Sequence, residues 1–304
     1  MADTLHNMVN GKGEVMAAAA ANTAADSAQT EAFQGTGTLS NGEAAETDIE
    51  DKQLPSIESL LFVNNEEVCQ SDDRLRVMET AKFPWSAVCR LIITLDDGRQ
   101  GVGTGWLCGP ATVITAGHCV FDSETRKWHK SIVVIPGKDD RLEPYDRFTV
   151  APEHFWSVNG WVQDGNQEYD YGAIILNSTI GNNTGYLGFR YDPNDAINQK
   201  PILNTGYPSD KNGTQWYMKG IVNDVQERKV YYKLDTMGGN SGGPVCLGET
   251  NQAICIHAYG GCAANRSNSG TRINRDVYAN VLKWKEAGAS PQASAEVGRE
   301  RVKV

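Results

Sequence analysis

The chain has 304 residues, 40% of them hydrophobic and 22% charged, with seven cysteines and a formal net charge of −10. That length suits one large domain plus an appendage, and the acidic balance lacks the basic stripe of a nucleic-acid binder. No segment is long and apolar enough to span a bilayer, so neither nucleic acid nor a membrane is expected as a partner.

The charge belongs to one end. Residues 1–67 hold 12 acidic and 2 basic side chains, a net of −10, and residues 68–304 balance. Residues 1–55 are rich in Ala, Thr, Gly, Ser and Glu with almost no aromatics, too little apolar surface to offset the entropy of ordering. Residues 1–67 therefore read as a largely disordered leader or propeptide. The Ala17–Ala21 run, short and preceded by Glu14, makes a poor signal-peptide core. The cysteines favour an oxidising, extracellular compartment, although an odd number leaves at least one over.

From Val68 the pattern changes to short β-rich runs broken by Gly, Pro, Asn and Asp. Val88–Leu95, Thr112–Ala116, Ile132–Ile135, Ala173–Leu176, Pro201–Asn204, Lys229–Leu234 and Ala253–His257 are the expected strands, with turns at Asp96-Asp97-Gly98 and Pro208-Ser209-Asp210. Many short strands without long helical patterns between them predict an all-β sandwich or barrel. One helix is expected at 275–287, where Val277, Tyr278, Val281, Leu282 and Trp284 form an apolar stripe and Asn274 can cap it. Residues 291–304 read as a loose tail.

Three motifs carry chemistry, in the order His, Asp, Ser. His118 follows the apolar run Ala111-Thr112-Val113-Ile114, at a strand end where a turn can present a ring to a cleft. Asp170 leads into the apolar strand after Tyr171 and is placed to accept the second N–H of a catalytic histidine. Ser241 lies in Gly238-Gly239-Asn240-Ser241-Gly242-Gly243-Pro244, where glycines let the N–H groups of Gly239 and Ser241 converge. A serine hydroxyl attacks only with a base to take its proton and donors to hold the resulting oxyanion. His118 and the scattered cysteines lack ligand spacing, so no metal or cofactor is expected.

Together these boxes resemble the chymotrypsin-like serine proteases over residues 68–287. The resemblance implies two six-stranded antiparallel β-barrels, about 68–185 and 186–274, with the C-terminal helix packed on the second, in a protease domain of 68–290. It implies a Ser-His-Asp triad acting through an acyl-enzyme, with an oxyanion hole from Gly239 and Ser241. It also implies a histidine-loop disulfide between Cys108 and Cys119.

Further motifs are similar to the bacterial glutamyl endopeptidases of staphylococcal V8 and Bacillus type. They are Asp235-Thr236 before the serine box, Ile256-His257 and Gly270-Thr271-Arg272-Ile273 after it, and Gly105-Trp106 and Gly206-Tyr207-Pro208 before it. A threonine hydroxyl and an imidazole are donors suited to a carboxylate, so Thr236 and His257 are implied to bind a substrate glutamate. The expected function is thus a secreted, monomeric serine endopeptidase cutting proteins and peptides after Glu and more weakly after Asp. It would be made as a proenzyme that cuts itself after Glu66-Glu67, so that the freed amine of Val68 faces the same glutamate. Asn240, uncharged, cannot form the ion pair that activates trypsin. Two alternatives stand: trypsin-like selection of Lys or Arg through Asp235, and a non-catalytic serine-protease homologue.

Overall fold

The computed structural model describes residues 4–18, 27–39, 45–46 (backbone only), 53–61, 68, 71–192, 194–248, 250–261 and 267–289. Strands dominate, and two large sheets of chymotrypsin-like architecture hold most of them, beside two small two-stranded pairs. In the first, the order is 148–150, 131–136, 88–94, 100–107, 112–115, 172–175 and 155–158. Leu91, Ile93, Trp106, Val113, Ile114, Val134 and Ile174 are all buried in its core. The second is a closed six-stranded barrel, because 244–247 pairs with both 201–206 and 252–259 while 216–225, 229–232 and 268–272 complete the ring. Ile202, Met218, Val222, Val230, Tyr232, Val245 and Ile254 fill it. Closure leaves this barrel without a free edge.

The helix Arg275–Gly288 starts where expected, with the Asn274 side chain accepting from the Val277 N–H at 3.0 Å. It buries Val277, Val281 and Trp284. It meets strand 188–191 of the second sheet, Tyr278 lying against Phe189 and Tyr191, and it also lies against the first sheet. Thr112 Oγ1 donates to the Trp284 carbonyl at 3.0 Å, and Trp284 meets the Tyr171 ring at 5.8 Å. Among the described residues no helix is long and apolar enough to cross a membrane.

The leader departs from the expected disorder wherever it is described. Met8–Asn10 extends the first sheet by pairing antiparallel with 155–158, and Val15–Met16 pairs in turn with that strand. Ala28–Gln29 pairs with 188–191, and Ala45–Glu46 with 142–143. His6 is buried: its ring nitrogens lie 2.8 Å from the Tyr171 hydroxyl and 2.8 Å from an Arg228 nitrogen, while Asn280 Nδ2 donates to its carbonyl. A polar chain that cannot build its own core is ordered here by borrowing sheet edges and pockets from a domain that already has one.

The expected Cys108–Cys119 disulfide is absent; both thiols are free and buried, as are Cys89, Cys246 and Cys255. The reason lies in the cross-strand neighbour. A Cβ on Gly103 would sit 3.1 Å from Cys119 Sγ, so the position facing Cys119 is a glycine, and Cys108 lies further along the strand's path. Cys69 and Cys262 lie outside the described residues. The five buried thiols therefore lend no support to reading the cysteines as a sign of an oxidising compartment.

Candidate active site

Both sheets contribute to one buried cluster. His118 sits in the 3₁₀ turn Gly117–Cys119 that ends strand 112–115, and Asp170 directly precedes strand 172–175, which pairs with it. Ser241 comes from the turn before strand 244–247 of the second barrel. Strand 100–107 clamps that turn to the first sheet: the Thr104 N–H donates to the Ser241 carbonyl at 2.9 Å, and Thr104 Oγ1 to the Gly239 carbonyl at 2.7 Å. Gly239 (φ +102°) and Gly242 (φ +88°) hold left-handed backbone in this turn, and a Cβ on Gly242 would fall 2.0 Å from the Thr104 carbonyl oxygen.

His118 and Asp170 are joined twice. The His118 main-chain N–H donates to Asp170 Oδ1 at 2.9 Å, and the ring Nδ1 lies 2.8 Å from Oδ2. Tyr259 donates its hydroxyl to Oδ2 at 2.5 Å, and Thr271 Oγ1 donates to the Asp170 carbonyl at 2.8 Å. Burial disfavours a charged Asp170, but the facing His118 charge and these hydrogen bonds hold it below the ordinary carboxylate range. Burial likewise opposes a charged His118, yet the Asp170 carboxylate, and after it the Cys119 sulfur, raise its proton affinity well above the usual imidazole value. His129, pushed down to about 4 chiefly by burial, stays neutral and braces the His118 carbonyl from Nε2 at 2.9 Å.

The third side of His118 faces the leader. Glu58 is fully buried, with Oε1 3.8 Å from His118 Nε2 and Oε2 accepting the Gly239 N–H at 3.0 Å. Burial works to neutralise it, but hydrogen bonding and charge from His118, followed by a bond from the Ser241 side chain, lower its pKa and keep it a carboxylate. Ser241 Oγ also lies 3.2 Å from the Ala258 carbonyl. The arrangement is an imidazole between two carboxylates, with the Ser241 side chain and the Gly239 N–H at the outer one.

The residues expected to bind glutamate lie on the same barrel. Thr236 is buried, and its Oγ1 accepts from Asn268 Nδ2 at 2.9 Å, which leaves the hydroxyl proton to donate elsewhere. His257, mid-strand in 252–259 and opposite Gly270, has Nδ1 2.6 Å from the Tyr232 hydroxyl. Asp235 is engaged elsewhere, accepting the Asp73 N–H at 2.9 Å. Val68 is half-buried, and Glu66 and Glu67 lie outside the described residues. Among the described residues no group of three His, Cys, Asp or Glu side chains is spaced to hold a metal. Sequence reasoning missed Glu58, Tyr259, Tyr232 and Asn268. Each is a common residue type outside a recognisable box, so only the fold shows what it touches.

Residues 103–256 match the trypsin-like peptidase domain family. The chain is 35% identical over 268 residues to the glutamyl endopeptidase of Bacillus licheniformis, covering 84% of this chain and 78% of that protein. It is 37% identical over 219 residues to a Bacillus subtilis protein named extracellular metalloprotease, covering 70% and 68%. Among solved structures, a Glu endopeptidase in complex with MPD superposes with a TM-score of 0.65 at 27% identity, over 72% of this chain and 99% of that one.

Proposed function

Because the chain belongs to the glutamyl endopeptidase family of trypsin-like serine peptidases, we propose that this serine endopeptidase cuts after glutamate with Ser241, His118 and Asp170 as its triad. The observation that carries the triad is the doubly bonded His118–Asp170 pair beside Ser241. Asp170 and Tyr259 fix the ring so that Nε2 takes the Ser241 proton as Oγ attacks the scissile carbonyl, then returns it to the leaving amine. The Gly239 N–H, with that of Ser241, holds the oxyanion.

Glutamate selection rests on Thr236 and His257. A Tyr232 hydroxyl donating to Nδ1 of His257 keeps a proton on Nε2, making that nitrogen a donor in the neutral ring as well as in the imidazolium. A charge-assisted hydrogen bond contributes about 1.5–3 kcal/mol, or roughly a ten- to hundredfold preference. His257→Leu should therefore retain cleavage while its Glu-over-Gln preference on matched peptides falls by about that factor. A variant that still prefers Glu equally would overturn the pocket. Capture of the Asp235 carboxylate by the Asp73 N–H favours this reading over Lys or Arg selection.

The same reading makes residues 1–67 a propeptide, 68–290 the protease domain, and the product a secreted monomer. The word extracellular in the name of the Bacillus subtilis relative supports export. Glu66→Gln with Glu67→Gln should leave purified protein at full length on a gel while the unsubstituted chain shortens. Equal shortening of both would show that maturation does not run through this bond.

A further inference from the structure

We infer that the oxyanion site is also a binding site for a carboxylate side chain, and that the leader's Glu58 is its built-in ligand, keeping the uncut chain silent. The inference rests on the serine-peptidase reading of Ser241 and adds the means of silencing.

The leader presents Glu58 from a short docked unit rather than from a loose tail. The Pro55 carbonyl accepts the Val102 N–H at 2.9 Å, and Ser56 forms a parallel bridge with Val102, so the segment is laid along strand 100–107 beside the serine turn. Ser56 then caps one helical turn, Ile57–Leu60, its Oγ accepting from the Ser59 N–H at 3.2 Å. Ile57 and Leu61 are buried. The receiving surface is cut to fit: a Cβ on Gly238 would sit 2.3 Å from Ser56 Oγ, and one on Gly101 3.1 Å from Ile57 Cα. Glu58, between Ile57 and Leu61, is fully buried with its carboxylate in the catalytic cluster.

What it occupies there is specific. Oε2 sits on the Gly239 N–H, the donor that would hold the reaction's developing negative charge, so no substrate carbonyl can use it. Oε1 faces His118 Nε2, the nitrogen that must accept the serine proton. A fixed negative charge there favours the imidazolium, and an imidazolium is no base. The two contacts thus remove oxyanion stabilisation and general-base catalysis together.

The groups facing Glu58 define the pH window of this lock: His118, with Asp170 and Cys119 behind it, and the Ser241 hydroxyl. Glu58's pKa is lowered by docking, so its contribution is present above the ordinary glutamate pKa and is lost as pH falls through the depressed value. The lock is therefore complete above the ordinary glutamate pKa and loosens in acid.

The test uses the full-length chain and a fluorophosphonate that reacts only with an activated serine. Labelling of the uncut band is compared for the unsubstituted chain, Glu58→Gln, Glu58→Ala and the exposed leader control Glu31→Gln. Glu58→Ala should label about ten- to hundredfold faster than the unsubstituted chain, Glu58→Gln should fall between, and the control should not change. As a second readout, nitrogen NMR followed through a pH titration should show the His118 ring losing its proton at lower pH in Glu58→Gln than in the unsubstituted chain. Equal, measurable labelling of all four chains, or an unchanged His118 in a folded Glu58→Gln, overturns the lock and leaves the protease standing. Absence of labelling in every chain, including samples whose leader has been cut away, overturns both.

Discussion

Ser241→Ala is expected to reduce kcat by about 10⁶-fold on any peptide the matured protein cuts, with KM little changed. The substitution removes one oxygen from a turn whose backbone is held by Thr104 and by the glycine conformations at 239 and 242. The fold, the Gly239 donor and the glutamate pocket should all survive it. What disappears is the atom that attacks, and with it any use for His118 as a base. Residual catalysis of roughly 10³–10⁴ over water, from the oxyanion donors and binding alone, is the expected floor. Steady-state kinetics on a glutamyl peptide would check this, with thermal unfolding showing the variant folded. A loss under about a hundredfold would mean that another group attacks, because members of a triad act as a unit.

The fold class and the residues of the cluster were both legible in the sequence, for physical reasons. His118, Asp170 and Ser241 each sit beside an apolar strand, so local pattern marks them, and their meeting needs only the two sheets to face each other. Strand 100–107 escaped the pattern because Gly101, Gly103 and Gly105 dilute its β signal. The structure shows why side chains are missing there: a Cβ on Gly105 would come within 2.7 Å of Val113 Cγ1. The disulfide that the resemblance implied is absent beside the same strand, where the position facing Cys119 is Gly103. Composition gave no sign of the stretches of the leader that dock. Entropy arguments apply to a chain folding alone, and they do not count the sheet edges and pockets that a covalently attached domain offers to His6, Met8 and Ile57.

Glu58 was invisible for a related reason. It is one of 12 acids in the leader, with nothing in its neighbourhood but a serine cap, and its importance comes from the 3.0 Å contact with Gly239, 181 residues away. Glutamate at that point also fits the enzyme's own proposed preference without serving as a substrate. Its carboxylate lies at the reacting centre, not beside Thr236 and His257, so binding there blocks catalysis instead of presenting a bond for cleavage.

Asp170→Asn in the matured protein is expected to lower kcat about 10⁴-fold near neutral pH while leaving the fold intact. An asparagine oxygen in the Oδ1 place can still accept the His118 main-chain N–H, so the cluster should keep its shape although the amide at the Oδ2 place no longer accepts from Tyr259. Its amide can also donate to Nδ1, however, and that places the imidazole proton on Nε2, the nitrogen that must be empty to accept from Ser241. The pH profile should change with the rate. Asp170's charge is what raises His118's proton affinity against burial, so its removal should move the acid limb of kcat/KM to lower pH. Tyr259→Phe separates orientation from charge: it keeps the carboxylate and deletes only the 2.5 Å bond to Oδ2. That variant should lose kcat modestly, by about fivefold to tenfold for one hydrogen bond, and should shift the acid limb slightly upward, since the carboxylate left with one donor fewer pulls harder on the His118 proton. Opposite displacements of the acid limb in the two variants, read from the same assay, would place Asp170's charge rather than its bulk behind the base. Displacement in the same direction would show that the pair acts through packing alone.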